Sequence, residues 1–169
     1  PIILMGYYQM IFNYGERRFI QKCKASGVDG LIVVDLSFPD NKNFAKLCKK
    51  NFICFVQLIA PTTTVKRMRE IIKNSHEMIY MISTISTTGS ALKYSIKKII
   101  NNYNIIKRIK PSKNVVIGFG ITEKTISNLR SADGLVVGSA ICREITRSLK
   151  DRQNPVTNVS KLVRKLKNK

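Results

Sequence analysis

Two glycine-bearing segments, Gly118-Phe119-Gly120-Ile121-Thr122 and Gly138-Ser139-Ala140-Ile141, each follow a short run of Ile and Val and precede a stretch able to form a helix. That placement suits an anion, because glycine lets backbone N–H groups approach a ligand and the positive end of the helix dipole favours negative charge. The chemistry indicated is the holding of a phosphate by Gly120, Gly138 and Ser139. The competing reading gives the glycines to tight turns and makes Ser139 an N-cap. Taken jointly, the two loops favour phosphate. A dinucleotide-binding fingerprint does not fit, since Gly118-x-Gly120 is followed by Glu123 where a third glycine is needed.

Other residues able to do chemistry stand at similar places. Ser83-Thr84-Ile85-Ser86-Thr87-Thr88-Gly89-Ser90 follows another apolar run as a hydroxyl-rich loop without proline. Acids are scarce, and Asp35, which ends the apolar run starting at Gly30, is the well-placed one; Asp29 lies at the opposite end of that run. A lone Asp at a strand end caps a following loop as readily as it serves as a base. Tyr7 and Tyr80 lie near strand ends, where lining a pocket and packing in a core suit them equally. His76, the single histidine, precedes a strand and is expected at the surface. The four cysteines, Cys23, Cys48, Cys54 and Cys142, form no Cys-x-x-Cys pair and no ligand spacing with His76, so no metal site is expected. Their apolar flanks make them buried free thiols, as in a reducing cytosol.

These residues need a scaffold that gathers strand ends. Short apolar runs alternate with amphipathic stretches along the whole chain, the pattern of repeated βα units around a parallel sheet. Six strands are expected, over 2–6, 30–35, 52–59, 78–83, 114–118 and 134–138. Helices are expected over 16–26, 41–51, 63–74, 92–109, 123–130 and 139–149, with a last basic helix near 156–167. Consecutive Ile and Val, as in Leu31-Ile32-Val33-Val34, mark strands buried on both faces. Six units in 169 residues are about 28 residues each, so eight would need roughly 225, near the usual size of a (β/α)8 barrel. The expectation is one incomplete TIM-barrel domain over 1–169, with about six of the eight βα units. The chain opens on a strand, so the missing pair falls on the N-terminal side. In such a barrel the chemistry sits at the C-terminal ends of the strands, and the loops after strands 7 and 8 commonly bind phosphate.

The charge is the other prominent feature, with 30 Lys and Arg against 10 Asp and Glu and a formal net charge of +20. Clustered cations suggest nucleic acid or an anionic membrane. Here they are spread over almost every expected helix and accompany an enrichment in Ile and Asn, so a solvated basic surface is the simpler reading and neither partner is expected. No apolar stretch reaches about 18 residues, so no membrane span is expected, and Pro1-Ile2-Ile3-Leu4-Met5-Gly6 has no basic n-region of a signal peptide.

Five segments together carry a resemblance. Pro1 to Tyr8, Gly27 to Leu36, Tyr80-Met81-Ile82-Ser83 leading to Thr87-Thr88-Gly89, Gly118-Phe119-Gly120-Ile121, and Asp133 to Ile141 occur in the order and nearly the spacing of the alpha subunit of tryptophan synthase. The sequence resembles that family over almost its whole length. The resemblance implies a cofactor-free lyase that cleaves indole-3-glycerol phosphate into indole and glyceraldehyde 3-phosphate, in tryptophan biosynthesis in the cytoplasm. It implies a beta subunit as partner in an alpha2-beta2 complex. It also implies that Gly89, Gly120, Gly138 and Ser139 hold the substrate phosphate, that Thr88 sits on a closing loop, and that Tyr7 and Tyr80 contribute to the pocket. A closing loop excludes water from the reacting centre.

The family's catalytic Glu and Asp are expected upstream, on strand 2 and the loop after it, and have no counterpart in this chain. General acid–base groups each contribute about 10² to 10⁴ in rate, so the chain should bind better than it turns over. Thr84, Ser86 and Thr87 stand where the family usually has Arg, Gly and Val. Gln9-Met10 replaces Asn-Pro, Ser37 replaces a Pro, and the segment 122–132 is about three residues short. A non-catalytic relic or partner of the beta subunit is the alternative, followed by another phosphate-binding barrel enzyme.

Overall fold

The computed structural model describes residues 1–83, 95–121 and 125–167. Seven strands run through it: β1 (Ile3–Gly6), β2 (Gly30–Val33), β3 (Cys54–Phe55), β4 (Gln57–Ile59), β5 (Met78–Ile82), β6 (Asn114–Gly118) and β7 (Gly134–Val136). All neighbours are parallel, in the orders β1-β2-β3 and β4-β5-β6-β7. The helices are α1 (Tyr8–Tyr14), α2 (Glu16–Ala25), α3 (Lys42–Lys50), α4 (Val65–Asn74), α5 (Ile96–Ile109), α6 (Ser139–Lys150) and α7 (Pro155–Lys167).

The strand expected over 52–59 is split at Val56. Its first half pairs with β2 (Leu31↔Phe55) and its second with β5 (Gln57↔Ile79), because neighbouring strands of a barrel are staggered. The Val56 N–H still donates to Leu31 O at 2.9 Å, so the chain passes between the two sheets without a gap in bonding there.

Period-two alternation sorts the strand side chains into layers. Ile32, Val56 and Tyr80 face inward with Ile3, Leu58, Val116 and Phe119. Leu31, Val33 and Phe55 pack outward against Ile20, Phe44 and Cys48 of α2 and α3. Ile59, Ile79, Met81 and Ile117 pack against Met68, Ile72, Ile99 and Ile106 of α4 and α5. This two-sided burial is the reason for the continuous Ile and Val runs. The outer strands β1 and β7 are less covered, and Leu4, Met5 and Val136 are exposed.

Several helices begin where their sequence says. Thr64 Oγ1 accepts from Arg67 N at 3.4 Å and Ser95 Oγ from Lys98 N at 3.3 Å, capping α4 and α5. Helix α1 had no expected counterpart: its seven residues bury Ile11 alone, too little for a periodic signal, and it stops at Gly15 with φ 91°. The helix expected over 123–130 is only a 3-10 turn over Ile126–Leu129. Cys23 and Cys48 are buried and Cys54 is half-buried, whereas Cys142 is exposed, against the expectation of four buried thiols. Burial pushes the Cys48 thiol up to about 12, so it stays protonated and unreactive. His76 is also a correction: it is half-buried, and its Nδ1 accepts from Phe55 N at 2.9 Å. That N–H lies where β3 has run out of backbone partners.

Candidate active site at the C-terminal ends of the strands

The strands deliver the candidate residues to one end. The pairing Gly118↔Val136 ends the β6–β7 register, so Gly120 and Gly138 each follow the last paired residue of their strand by two positions. Gly120 has φ 65° and follows Phe119 at φ 67°. Two left-handed residues in succession turn the chain sharply away from the strand, and the glycine accepts this without the Cβ penalty. Gly138 is the N-cap of α6, and no side chain caps that helix. Its carbonyl takes the Ile141 and Cys142 N–H groups at 2.9 and 3.1 Å. Ser139 is therefore the first helical residue and not the cap. The twelve-residue helix follows β7 after two intervening residues, so its first-turn N–H groups, which have no intrahelical partners, lie at the C-terminal end of that strand.

Tyr80 is 6% exposed, on the inner face of β5. Its ring meets Phe119 edge-on at 6.0 Å, and burial raises its phenol above the ordinary value. The hydroxyl sits over Gly118, where an added Cβ would lie 1.8 Å from Tyr80 Oη. Gly118 is thus required by contact, which the sequence reading did not single out; the signal was a glycine ending one strand diagonally across from a tyrosine on the next. Ser83 was missed as well. It is fully buried at the end of β5, with its Oγ 2.8 Å from Gly118 O and also bonded to Phe119 O.

Tyr7 is 62% exposed, outside this cluster. Asp35 is exposed too, and its Oδ1 accepts from Tyr8 N at 2.7 Å, tying the start of α1 to the end of β2. That bond reaches back to α1 and is not a cap on the loop that follows Asp35. Thr88 and Gly89 lie outside the described residues, as do Thr84, Ser86 and Thr87.

A cavity of about 350 Å³ is lined by residues at and after the ends of β2, β4 and β5 and, from the glycine loops, by Phe119. Met5, Val34, Leu58, Ile82 and Phe119 give it an apolar lining, and Gln57 and Arg67 add polar groups on its outer side. Gln57 is held by Asn41, Nδ2 to Oε1 at 2.8 Å, and both amides are buried. The Arg67 guanidinium donates to Phe38 O and, at 3.4 Å, to Ser37 Oγ. An apolar hollow beside a set of open N–H groups suits a molecule with an apolar body and an anionic end. Among the described residues, no group of His, Cys, Asp or Glu has the arrangement to hold a metal. No described helix is long and apolar enough to cross a membrane.

Comparison with known proteins gives one consistent answer. The family model described as tryptophan synthase alpha chain matches residues 1–169. The tryptophan synthase alpha chain of Pelagibacter ubique is 62% identical over 169 residues, covering 100% of this chain and 64% of its own length. That of Karelsulcia muelleri is 38% identical over 156 residues, 88% of this chain and 58% of its own. A crystal structure of the Legionella pneumophila alpha chain superposes with TM-score 0.81 at 27% identity, covering 99% of this chain and 62% of that one. The tryptophan synthase complex of Pyrococcus furiosus contains a chain at TM-score 0.80 and 31% identity, with 100% and 66% covered. This chain therefore spans less than two thirds of the length of these relatives, and its sheets and helices form part of the α/β TIM barrel they share. It belongs to the tryptophan synthase alpha chain family.

Proposed function

We propose that the chain carries the phosphate-binding part of a lyase that cleaves indole-3-glycerol phosphate into indole and glyceraldehyde 3-phosphate. The observation that carries this is that Gly120 and Gly138 each lie two residues beyond the paired ends of adjacent strands, with Gly138 at the N-cap of α6. Ser139, and by family resemblance Gly89 and Thr88, complete the cradle, while Tyr80 and the apolar hollow take the indole. Tyr7, at the rim, reaches the substrate only if the mouth closes over it.

In this reading β1 is the third strand of an eight-stranded barrel, β3 and β4 are together its fifth, and β7 is its eighth. The family's catalytic Glu and Asp then belong to the preceding strand and loop, outside residues 1–169. Asp35 does not replace them, because its carboxylate is committed to the Tyr8 amide. Turnover needs those two acids, whereas phosphate affinity needs only what is present. The partner is a beta subunit docked over the mouth, in the cytosol. Tyr7, Met10, Phe12 and Tyr14 on and before α1 are 62%, 72%, 62% and 47% exposed and offer an aromatic surface there.

The commitment of Asp35 also favours a second reading, a non-catalytic alpha-type partner. Lyase assays on the 169-residue chain and on a chain extended by the two preceding βα units separate the two. Activity in the extended chain alone supports the enzyme. Binding of indole-3-glycerol phosphate with no activity in either supports the partner, and no binding in either sinks both.

A further inference from the structure

We infer that Ser83 is a positioning residue that aims the Gly120 amide at the phosphate, an inference that rests on the cradle reading above. Ser83 is 0% exposed at the end of β5. Its N–H donates to Gly118 O at 3.0 Å, which continues the β5–β6 ladder. Its hydroxyl adds something the ladder does not require: one proton shared between Gly118 O, at 2.8 Å, and Phe119 O.

A trans peptide holds its C=O and N–H in opposite directions. With Phe119 O drawn toward Ser83, and so toward β5, the Gly120 N–H of the same peptide must point to the other side of β6. That side belongs to β7, since the order is β5-β6-β7, and beyond β7 stand Gly138 and the open end of α6. The orientation is not one the backbone takes unaided, because Phe119 carries a side chain at φ 67°, a conformation L-residues avoid. Packing alone would accept alanine at position 83. The buried hydroxyl is explained by the peptide it holds.

Titration of the full chain with inorganic phosphate, followed at the Gly120 and Gly138 amides by NMR, tests this. In Ser83→Ala the loss of one hydrogen bond predicts phosphate affinity weaker by about five- to tenfold, with the Gly120 response reduced most. Ser83→Cys is nearly isosteric with a much weaker donor, and should weaken binding as well if the alanine variant is too unstable to titrate. Ser148→Ala is the control. It removes another fully buried hydroxyl, one that donates to Glu144 O at 2.8 Å in the third turn of α6, and should leave the affinity unchanged. Wild-type affinity in both Ser83 variants overturns the inference while leaving the cradle intact. A wild-type chain that ignores phosphate overturns the cradle and the inference with it, and an equal loss in the Ser148 variant assigns the effect to general destabilisation and overturns the inference alone.

Discussion

The two ends of the barrel are built by opposite means. At the base, where strands begin, side chains take over from the backbone ladder. Asp29 Oδ2 accepts from Ile2 N at 2.6 Å, His76 Nδ1 from Phe55 N, and Asp133 Oδ2 from Val115 N at 2.8 Å. Lys113 Nζ donates to His76 O and, at 3.2 Å, to Ser75 O. Each of these bonds ties one strand to its neighbour. At the mouth, the α6 N-cap is Gly138, which has no side chain to spend on the helix's first N–H groups. The base spends its polar side chains on closure; the mouth keeps its polar backbone groups for something else. Substitutions at the base should therefore lower stability and spare binding, and those at the mouth should alter binding more than their stability cost suggests.

Asp133→Ala is the strongest test of the base. Burial alone would raise this carboxyl, but the Val115 N–H, the Lys107 ammonium at 3.0 Å and the Tyr103 hydroxyl outweigh it and hold the group below the ordinary carboxylate range. Removing it takes the partner from the Val115 N–H and the Tyr103 hydroxyl and leaves Lys107 Nζ only Lys113 O, at a cost of about 2–4 kcal/mol. Urea unfolding should show this as a fall in midpoint while phosphate affinity in the folded fraction stays constant. A loss of affinity with unchanged midpoint would break the division between the ends.

At the mouth, Gly118→Ala comes next in size. The new methyl would lie 1.8 Å from Tyr80 Oη and 2.4 Å from Cζ, so the ring must leave its place. Overpacking of this kind costs about 1–3 kcal/mol, and the displaced ring should weaken binding of indole-bearing ligands beyond that of phosphate. Adding Tyr80→Phe removes the nearest atom and leaves the second, so it should restore stability only in part. Full restoration would mean that the hydroxyl contact alone makes glycine necessary.

Much of this arrangement was legible in the sequence. The runs 114–118 and 78–83 gave strands β6 and β5 nearly to the residue, because burial on both faces writes Ile and Val at consecutive positions. The loop at Gly120 was legible because a left-handed turn after a strand leaves few choices of residue. What escaped is what depends on register. Nothing local marks Val56 as the point where one strand changes partners, nor Ser83 and Gly118 as neighbours across a β5–β6 pairing 35 residues apart in sequence. The base escaped for a related reason. A histidine ahead of a strand looks like surface until the strand two places earlier is found to end one hydrogen bond short. Asp35 was read as a base or a cap on the loop after it, and its bond to the Tyr8 amide, 27 residues earlier, is a long-range contact that neither reading foresaw.

The smallest effect sharpens the comparison through pH. His76 is half-buried, and desolvation, followed by Lys49 and Lys113, pushes its imidazole below the ordinary value, with Glu77 opposing. Folding therefore favours the neutral ring, which alone can accept the Phe55 N–H at Nδ1. The unfolded chain takes up its proton near pH 6.5. Below that the unfolded state binds more protons than the folded one, so stability falls as pH drops through about 6.5 and stops falling once the folded ring has protonated too. His76→Gln keeps an acceptor without a titration and should lack this component. The difference between the two stability curves isolates the imidazole. The difference is modest because water screens a half-exposed ring. Parallel curves would mean that the Phe55 amide gains nothing from the ring, and that the base is held by Asp29, Asp133 and Lys113 without it.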